Sequence, residues 1–225
     1  MPASVDKPLD GHGFEDRPAA GRALAGRLAE FKGRGDLAIL GLPRGGVPVA
    51  WEVARALGAP LDVFVVRKLG VPGHEELAMG AIASGDVRVL NPDVVRWYQI
   101  SDETIERVAR VERAELERRE HLYRDGRPLM PLDRRIVILI DDGLATGSTM
   151  RAAVGAVRSL DPARIVVAVP VGAQETCAAL GDIADQVVCL LTPASFSAVG
   201  QWYRDFSQTS DDEVRRLLAT AGRDA

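Results

Sequence analysis

The chain has 225 residues, enough for one α/β domain with a buried core. A hydrophobic fraction of 47% and a charged fraction of 27% are ordinary for a globular protein, and a net charge of −4 argues against general nucleic-acid binding. No apolar run is long enough to cross a membrane, and the first ten residues hold acids and prolines in place of an apolar signal core, so a cytoplasmic protein is expected.

Residues 1–15 read as an extended lead-in, and His12 within it is assigned no role. From Arg17 to Phe31, apolar residues at Leu24, Leu28 and Phe31 follow a helical spacing. Leu37 to Leu40 is a short apolar strand that runs into Gly41-Leu42-Pro43-Arg44-Gly45-Gly46, a turn that no helix or strand interior tolerates. Val47 to Leu57 is then a helix and Leu61 to Val66 a second buried strand. The segment from Arg67 to Glu76, polar and rich in breakers, reads as a long loop. Met79 to Ala83 and Val87 to Leu90 form a hairpin that turns at Ser84-Gly85-Asp86.

Ser101 can cap a long charged helix from about Asp102 to Tyr123, with acids in its first turn. Ile136 to Ile140 is the central strand, and Thr149 to Leu160 the helix after it. Ile165 to Pro170 is a strand, Gln174 to Gly181 a helix and Gln186 to Leu191 a last strand. In the tail, Phe196, Trp202, Tyr203 and Phe206 cluster in a chain with only 5% aromatics. Strands alternating with helices predict a mainly parallel α/β sheet with helices on both faces and a small hood or lid subdomain. Three parts are expected: an N-terminal segment and helix over 1–34, a core over 35–191, and a hood or tail over 192–225.

The most informative stretch is Val137-Ile-Leu-Ile-Asp141-Asp142-Gly143-Leu144-Ala145-Thr146-Gly147-Ser148-Thr149-Met150. A buried strand delivers two carboxylates to its carboxyl edge, and the next helix offers its N-terminal amides to an anion. A phosphorylated sugar suits that order, since the acids are left to accept from its hydroxyls. A nucleotide P-loop would need Gly-Lys-Ser/Thr here, and the chain has Thr146-Gly147-Ser148-Thr149 with no lysine. The turn at Gly41 to Gly46 does not match the dinucleotide glycine spacing. Cys177 and Cys189 are the only cysteines, too few for a disulfide framework, and no Cys/His cluster has zinc spacing. Lys68 is one of three lysines among 28 basic residues, which adds a little to its interest at the end of a strand.

Residues 137–150 resemble the ribose-phosphate signature of the type I phosphoribosyltransferases, in the version nearest the adenine-type enzymes. The resemblance covers roughly residues 35–195 and is strong on the sugar-phosphate side. It implies that Asp141 and Asp142 take the ribose hydroxyls of phosphoribosyl pyrophosphate (PRPP). It implies that Ala145, Thr146, Gly147, Ser148 and Thr149 hold the 5′-phosphate. Leu42 to Gly46 is similar to the family's pyrophosphate loop, with Arg44, Gly45 and Gly46 as its ligand-facing residues. Arg67 and Lys68 match the family's basic pair, and the segment from about 67 to 80 its lid, which His74, Glu75 and Glu76 would line.

Mg²⁺ would ride on PRPP itself, with water bridges to Asp141 and Asp142 at most. Some purine enzymes of the family carry a carboxylate base where this chain has Ala145, and adenine-type relatives lack it too. A base would then come from Glu75 or Glu76 on the lid, or from the substrate. Phe196, Trp202 or Tyr203 could stack on a planar acceptor, although packing of the tail onto the sheet explains them equally well. The expected activity is transfer of ribose 5-phosphate from PRPP to a nucleobase-like nitrogen acceptor, with Lys68, Arg44, Glu75 and Asp142 as its working residues. Two alternatives are a PRPP- or nucleotide-binding regulator without turnover, and a hydrolase of a phosphoribosyl compound. PRPP and a small-molecule acceptor are the expected partners, with no nucleic acid or membrane. A homodimer is expected, with the charged helix as one candidate contact.

Overall fold

The computed structural model describes residues 13–221, so most of the expected lead-in, His12 included, and the last four residues lie outside the described part. A five-stranded parallel sheet forms the centre. Its strands are β1 (Leu37–Gly41), β2 (Leu61–Val63), β6 (Ile136–Ile140), β7 (Arg164–Val171) and β8 (Gln186–Leu191), in the order β2-β1-β6-β7-β8. Beside it lies a three-stranded antiparallel sheet of β3 (Val66–Val71), β4 (His74–Ala83) and β5 (Val87–Leu90).

Helices cover both faces of the main sheet, as the alternation of elements predicts. On β6, Val137 and Leu139 point into a core completed by Met150, Val154 and Val157 of α5 (Ser148–Arg158) and Leu180 of α6 (Gln174–Leu180). Ile136, Ile138 and Ile140 point the other way, onto Leu24 and Leu28 around α1 (Arg17–Arg27) and Val49 and Val53 of α2 (Gly46–Leu57). A strand buried on both faces has no polar side to show, which is why it reads as an unbroken apolar run.

Three segments depart from the sequence reading. The stretch 61–66 does not stay in one sheet: β2 pairs with β1, then the chain swings over at Phe64 and Val65 and enters the small sheet as β3. The expected long loop over 67–76 is a hairpin, in which β3 and β4 turn at Pro72-Gly73. The breakers that suggested a loop mark its tip, where Gly73 takes a φ of +81°. The tail carries a helix that hydrophobic patterning alone left unassigned, α7 (Asp211–Ala221). Ser210 caps it by accepting from Glu213 N, and Asp211, Asp212 and Glu213 fill its first turn, a start signal present in the sequence. Val214 and Leu218 of α7 pack with Leu116 and Tyr123 of α4 (Asp102–Arg124) in a third core around the small sheet. A short α3 (Pro92–Trp97), capped by Asn91, packs Val94 and Val95 against that core.

Strand order positions the site. β1 and β6 are sequence-distant but adjacent, and β2 lies on one side of them while β7 and β8 lie on the other. The loops after β1 and β6 therefore leave the same sheet edge side by side, at the point where the strand order switches direction. A crevice opens at such a point in open parallel sheets.

Candidate active site

The turn after β1 is pressed against the acid pair after β6. Leu42 N donates to Ile140 O at 2.8 Å, which extends the β1–β6 ladder one residue past the end of β1. The Pro43–Arg44 peptide is cis. A Cβ on Gly45 would lie 2.0 Å from Asp142 Oδ2, and one on Gly46 would lie 2.6 Å from Ile140 O. Both positions thus require glycine for close approach, and the Gly46 N–H is spent inside the turn on Leu42 O at 3.0 Å.

Asp141 and Asp142 stand half-buried at that mouth. Asp141 accepts from the Asp142 backbone N–H at 2.9 Å. Burial pushes its carboxyl well above the usual carboxylate range, and the neighbouring charge of Asp142 pushes it further. Burial also raises Asp142, but here a cation opposes it. That cation is Arg17, whose Nε and Nη2 both reach Asp142 Oδ2 at 2.8 Å. Its Nη1 donates to Ser207 O at 2.7 Å, and its guanidinium lies 4.0 Å from the centre of the Phe206 ring. Arg17 is the main feature that sequence reading missed. It begins α1, far from either motif, and only its place just after the helix cap Asp16 marks it locally.

The loop after Asp142 is tied from below and open above. Leu144 N donates to Val171 O and Ala173 N donates to Leu144 O, at 2.9 and 3.0 Å. Thr176 Oγ1 donates to Ala145 O at 2.7 Å. Gly147 sits at φ +69°, a conformation natural to glycine, and Thr176 Cγ2 fills the space where a side chain would go. Ala145, Thr146, Ser148 and Thr149 are exposed at the start of α5, where the Thr146 and Ser148 hydroxyls lie 3.1 Å apart. Arg151, one turn into α5, donates back to Thr146 O at 3.2 Å.

The basic pair is split by the pleat of β3. Arg67 turns to α4, where its Nη2 meets Glu112 at 2.6 Å. Lys68 turns the other way and lines a cleft of about 320 Å³ with Ser148 and Arg151. Its ion pair with the fully exposed Glu76 is long at 3.8 Å. Arg44 reaches Asp211 at the start of α7 across 3.9 Å. Asp211 also accepts from the Tyr123 hydroxyl at 2.6 Å, so a tail residue stands beside the turn after β1.

The structure does not bring every expected residue together. His74, Glu75 and Glu76 sit on the exposed start of β4. His74 packs near Tyr98, and Glu75 caps the hairpin turn by accepting from Gly73 N at 3.1 Å. Those backbone hydrogen bonds hold the Glu75 carboxyl below the usual range, the wrong direction for a general base near neutral pH. Tyr203 is buried, and its hydroxyl donates to Asp142 O at 2.6 Å. Phe14 and Tyr203 form a small core, with Phe196 and Trp202 packed against it. The aromatic tail therefore braces the acid pair from behind, and of its rings Phe206 is the exposed one. Among the described residues, no group of three or more His, Cys, Asp or Glu is placed to hold a metal ion. No helix among them is long and apolar enough to cross a membrane.

Comparison with known proteins places this architecture. The family model for the phosphoribosyl transferase domain matches residues 14–199. Two Mycobacterium tuberculosis proteins, provisionally named phosphoribosyl transferases, are each 53% identical over 211 residues, or 94% of this chain. The match covers 47% of each, so the chain spans about half the length of these curated relatives. The crystal structure of TT1426 from Thermus thermophilus is 44% identical, with a TM-score of 0.84, and the match covers 92% of this chain and 98% of that one.

Proposed function

Because the chain belongs to the phosphoribosyl transferase domain family, we propose that it transfers ribose 5-phosphate from PRPP to a nitrogen acceptor of nucleobase-like chemistry. The observation that carries this reading is the adjacency after β1 and β6. A glycine turn bearing Arg44 lies against two carboxylates, and an exposed hydroxyl-rich helix start follows them. One crevice thus offers cations for a pyrophosphate, carboxylates for a diol and amides for a terminal phosphate.

In the reaction the acceptor nitrogen bonds to C1 of the ribose, the bond from C1 to the pyrophosphate oxygen breaks, pyrophosphate leaves, and the proton of the acceptor N–H passes to solvent. The loop Ala145–Thr149 anchors the 5′-phosphate, and Asp141 and Asp142 accept from the ribose hydroxyls. Arg44, the amide of Gly45 and Lys68 hold the leaving pyrophosphate, while Gly46, whose own N–H is bonded to Leu42 O, lets the turn approach. Most of the rate gain is then positioning and charge stabilisation. Lys68 is the better of the two basic candidates, since Arg67 is already paired with Glu112. The donor set suits Mg²⁺ brought in on the pyrophosphate: hard oxygens are at hand in Asp141 and Asp142, but one acid is occupied by Arg17. The metal would supply charge neutralisation on the leaving group.

Calorimetry with PRPP and Mg²⁺, followed by pyrophosphate release across a nucleobase panel, tests the proposal. Wild type should bind PRPP, and Asp141→Asn and Asp142→Asn should bind it more weakly. Failure of wild type to bind, or equal binding by both variants, would sink the assignment. Binding without release for any base would point to a regulator, and release without any acceptor to a hydrolase.

A further inference from the structure

Beneath the phosphate-facing loop lies a pair of thiols that the proposed reaction does not use. Cys177 stands on α6 and Cys189 on the edge strand β8, and neither is in a disulfide. Both sulfurs close around Gly172, just past the end of β7. A Cβ placed there would meet Cys177 Sγ at 2.7 Å and Cys189 Sγ at 3.4 Å. Cys189 Sγ donates to Leu191 O at 3.2 Å. Cys177 is buried, while Cys189 is only half-buried at the sheet edge, which leaves a way in for a small oxidant.

We infer that Cys177 and Cys189 form an oxidation site, which a hydroperoxide converts to an intramolecular disulfide. One sulfur attacks the peroxide O–O bond, becomes a sulfenic acid and releases one water. The second sulfur then displaces the hydroxyl from the first, forming the S–S bond and releasing a second water. Two thiols give up two electrons and two protons, and hydrogen peroxide is reduced to two waters. The neighbouring Cys189 thiol holds the Cys177 thiol below its ordinary range, and the same neighbour with burial pushes Cys189 up. Cys177 is therefore the readier nucleophile.

The position of the pair gives the oxidation a consequence. Thr176, next to Cys177, donates to Ala145 O and fills the space above Gly147. Ala173, at the start of the same helix, donates to Leu144 O. A disulfide that draws α6 toward β8 pulls on both struts of the loop. This second step rests on the donor-binding reading above.

The reduced full chain is treated with hydrogen peroxide and cleaved before Asp182 and Asp185, which separates the two cysteines. Mass spectrometry without reductant should find the two peptides joined, lighter by two hydrogens and released by dithiothreitol. Cys189→Ser should instead accumulate sulfinic acid on Cys177, and Cys177→Ser should form no such link. Higher oxidation states or links between chains, without the internal link, overturn the site. In calorimetry the oxidised chain should bind PRPP about fivefold more weakly, the scale of one lost hydrogen bond, and reductant should restore it. A disulfide with unchanged PRPP binding overturns the coupling to the loop. No PRPP binding by the reduced chain overturns the coupling through the donor reading itself, and leaves the peptide result to decide the oxidation site.

Discussion

Replacing Arg17 by alanine removes the cation bonded to the acid pair. The two partners are 10% and 16% exposed, so the pair is nearly out of water. Removing one member of a fully buried pair costs about 3–5 kcal/mol. The remaining exposure of Asp142, and its freedom to take up a proton, reduce this to about 2–3 kcal/mol. For a chain of this size that corresponds to a fall in Tm of about 4–12 °C.

The sign of the pH dependence follows from Asp142. Burial already raises its carboxyl, and Arg17 is the largest opposing influence, so alanine raises it further. A carboxyl whose folded pKa lies above its unfolded value costs stability once it ionises. The cost is absent below the unfolded value of about 4 and grows as pH rises toward the folded one. The loss of the Phe206 and Ser207 contacts adds a part that does not depend on pH. Thermal unfolding of wild type and Arg17→Ala at pH 5 and pH 8 should give the larger gap at pH 8. An equal gap at both, or a larger one at pH 5, would refute the view that Arg17 acts by balancing the charge of Asp142.

Gly45→Ala sets a Cβ 2.0 Å from Asp142 Oδ2, so the acid or the turn must move. It should cost about 1–3 kcal/mol in thermal unfolding and weaken PRPP binding in calorimetry. Lys68→Ala should weaken PRPP binding about tenfold or more, the scale of one charge-assisted hydrogen bond. Arg67→Ala, whose guanidinium is spent on Glu112, should stay within about twofold by the same titration. Tyr203→Phe deletes the 2.6 Å hydrogen bond to Asp142 O and leaves a half-buried carbonyl short of a donor. It should lose about 1–2 kcal/mol in urea unfolding, with no change in the denaturant slope.

Much of the chemistry is written locally. The order of apolar run, Asp141-Asp142, then Thr146-Gly147-Ser148-Thr149 can only be a strand end, a turn and a helix start, because each residue type suits one step of that path. Gly41 to Gly46 is likewise a turn from its composition alone. The hairpin of β3 and β4 was less legible, since Pro72-Gly73 breaks a run whose strands carry charged residues on their exposed side. Helix α7 was marked by its acidic start but overshadowed by the aromatic cluster before it.

Neighbours along the chain are therefore enough to set the parallel α/β class, the acid pair, the hydroxyl-rich loop and the glycine turn. Packing of distant segments puts β1 beside β6, so that Gly45 touches Asp142 although the two are far apart in sequence. Packing also brings Arg17 from the first helix to neutralise Asp142, braces the same residue with Tyr203 from the tail, and turns Lys68 rather than Arg67 toward the loop. Those facts follow from strand order and long-range contacts, where a guanidinium or a ring carries no local mark of the partner it will meet.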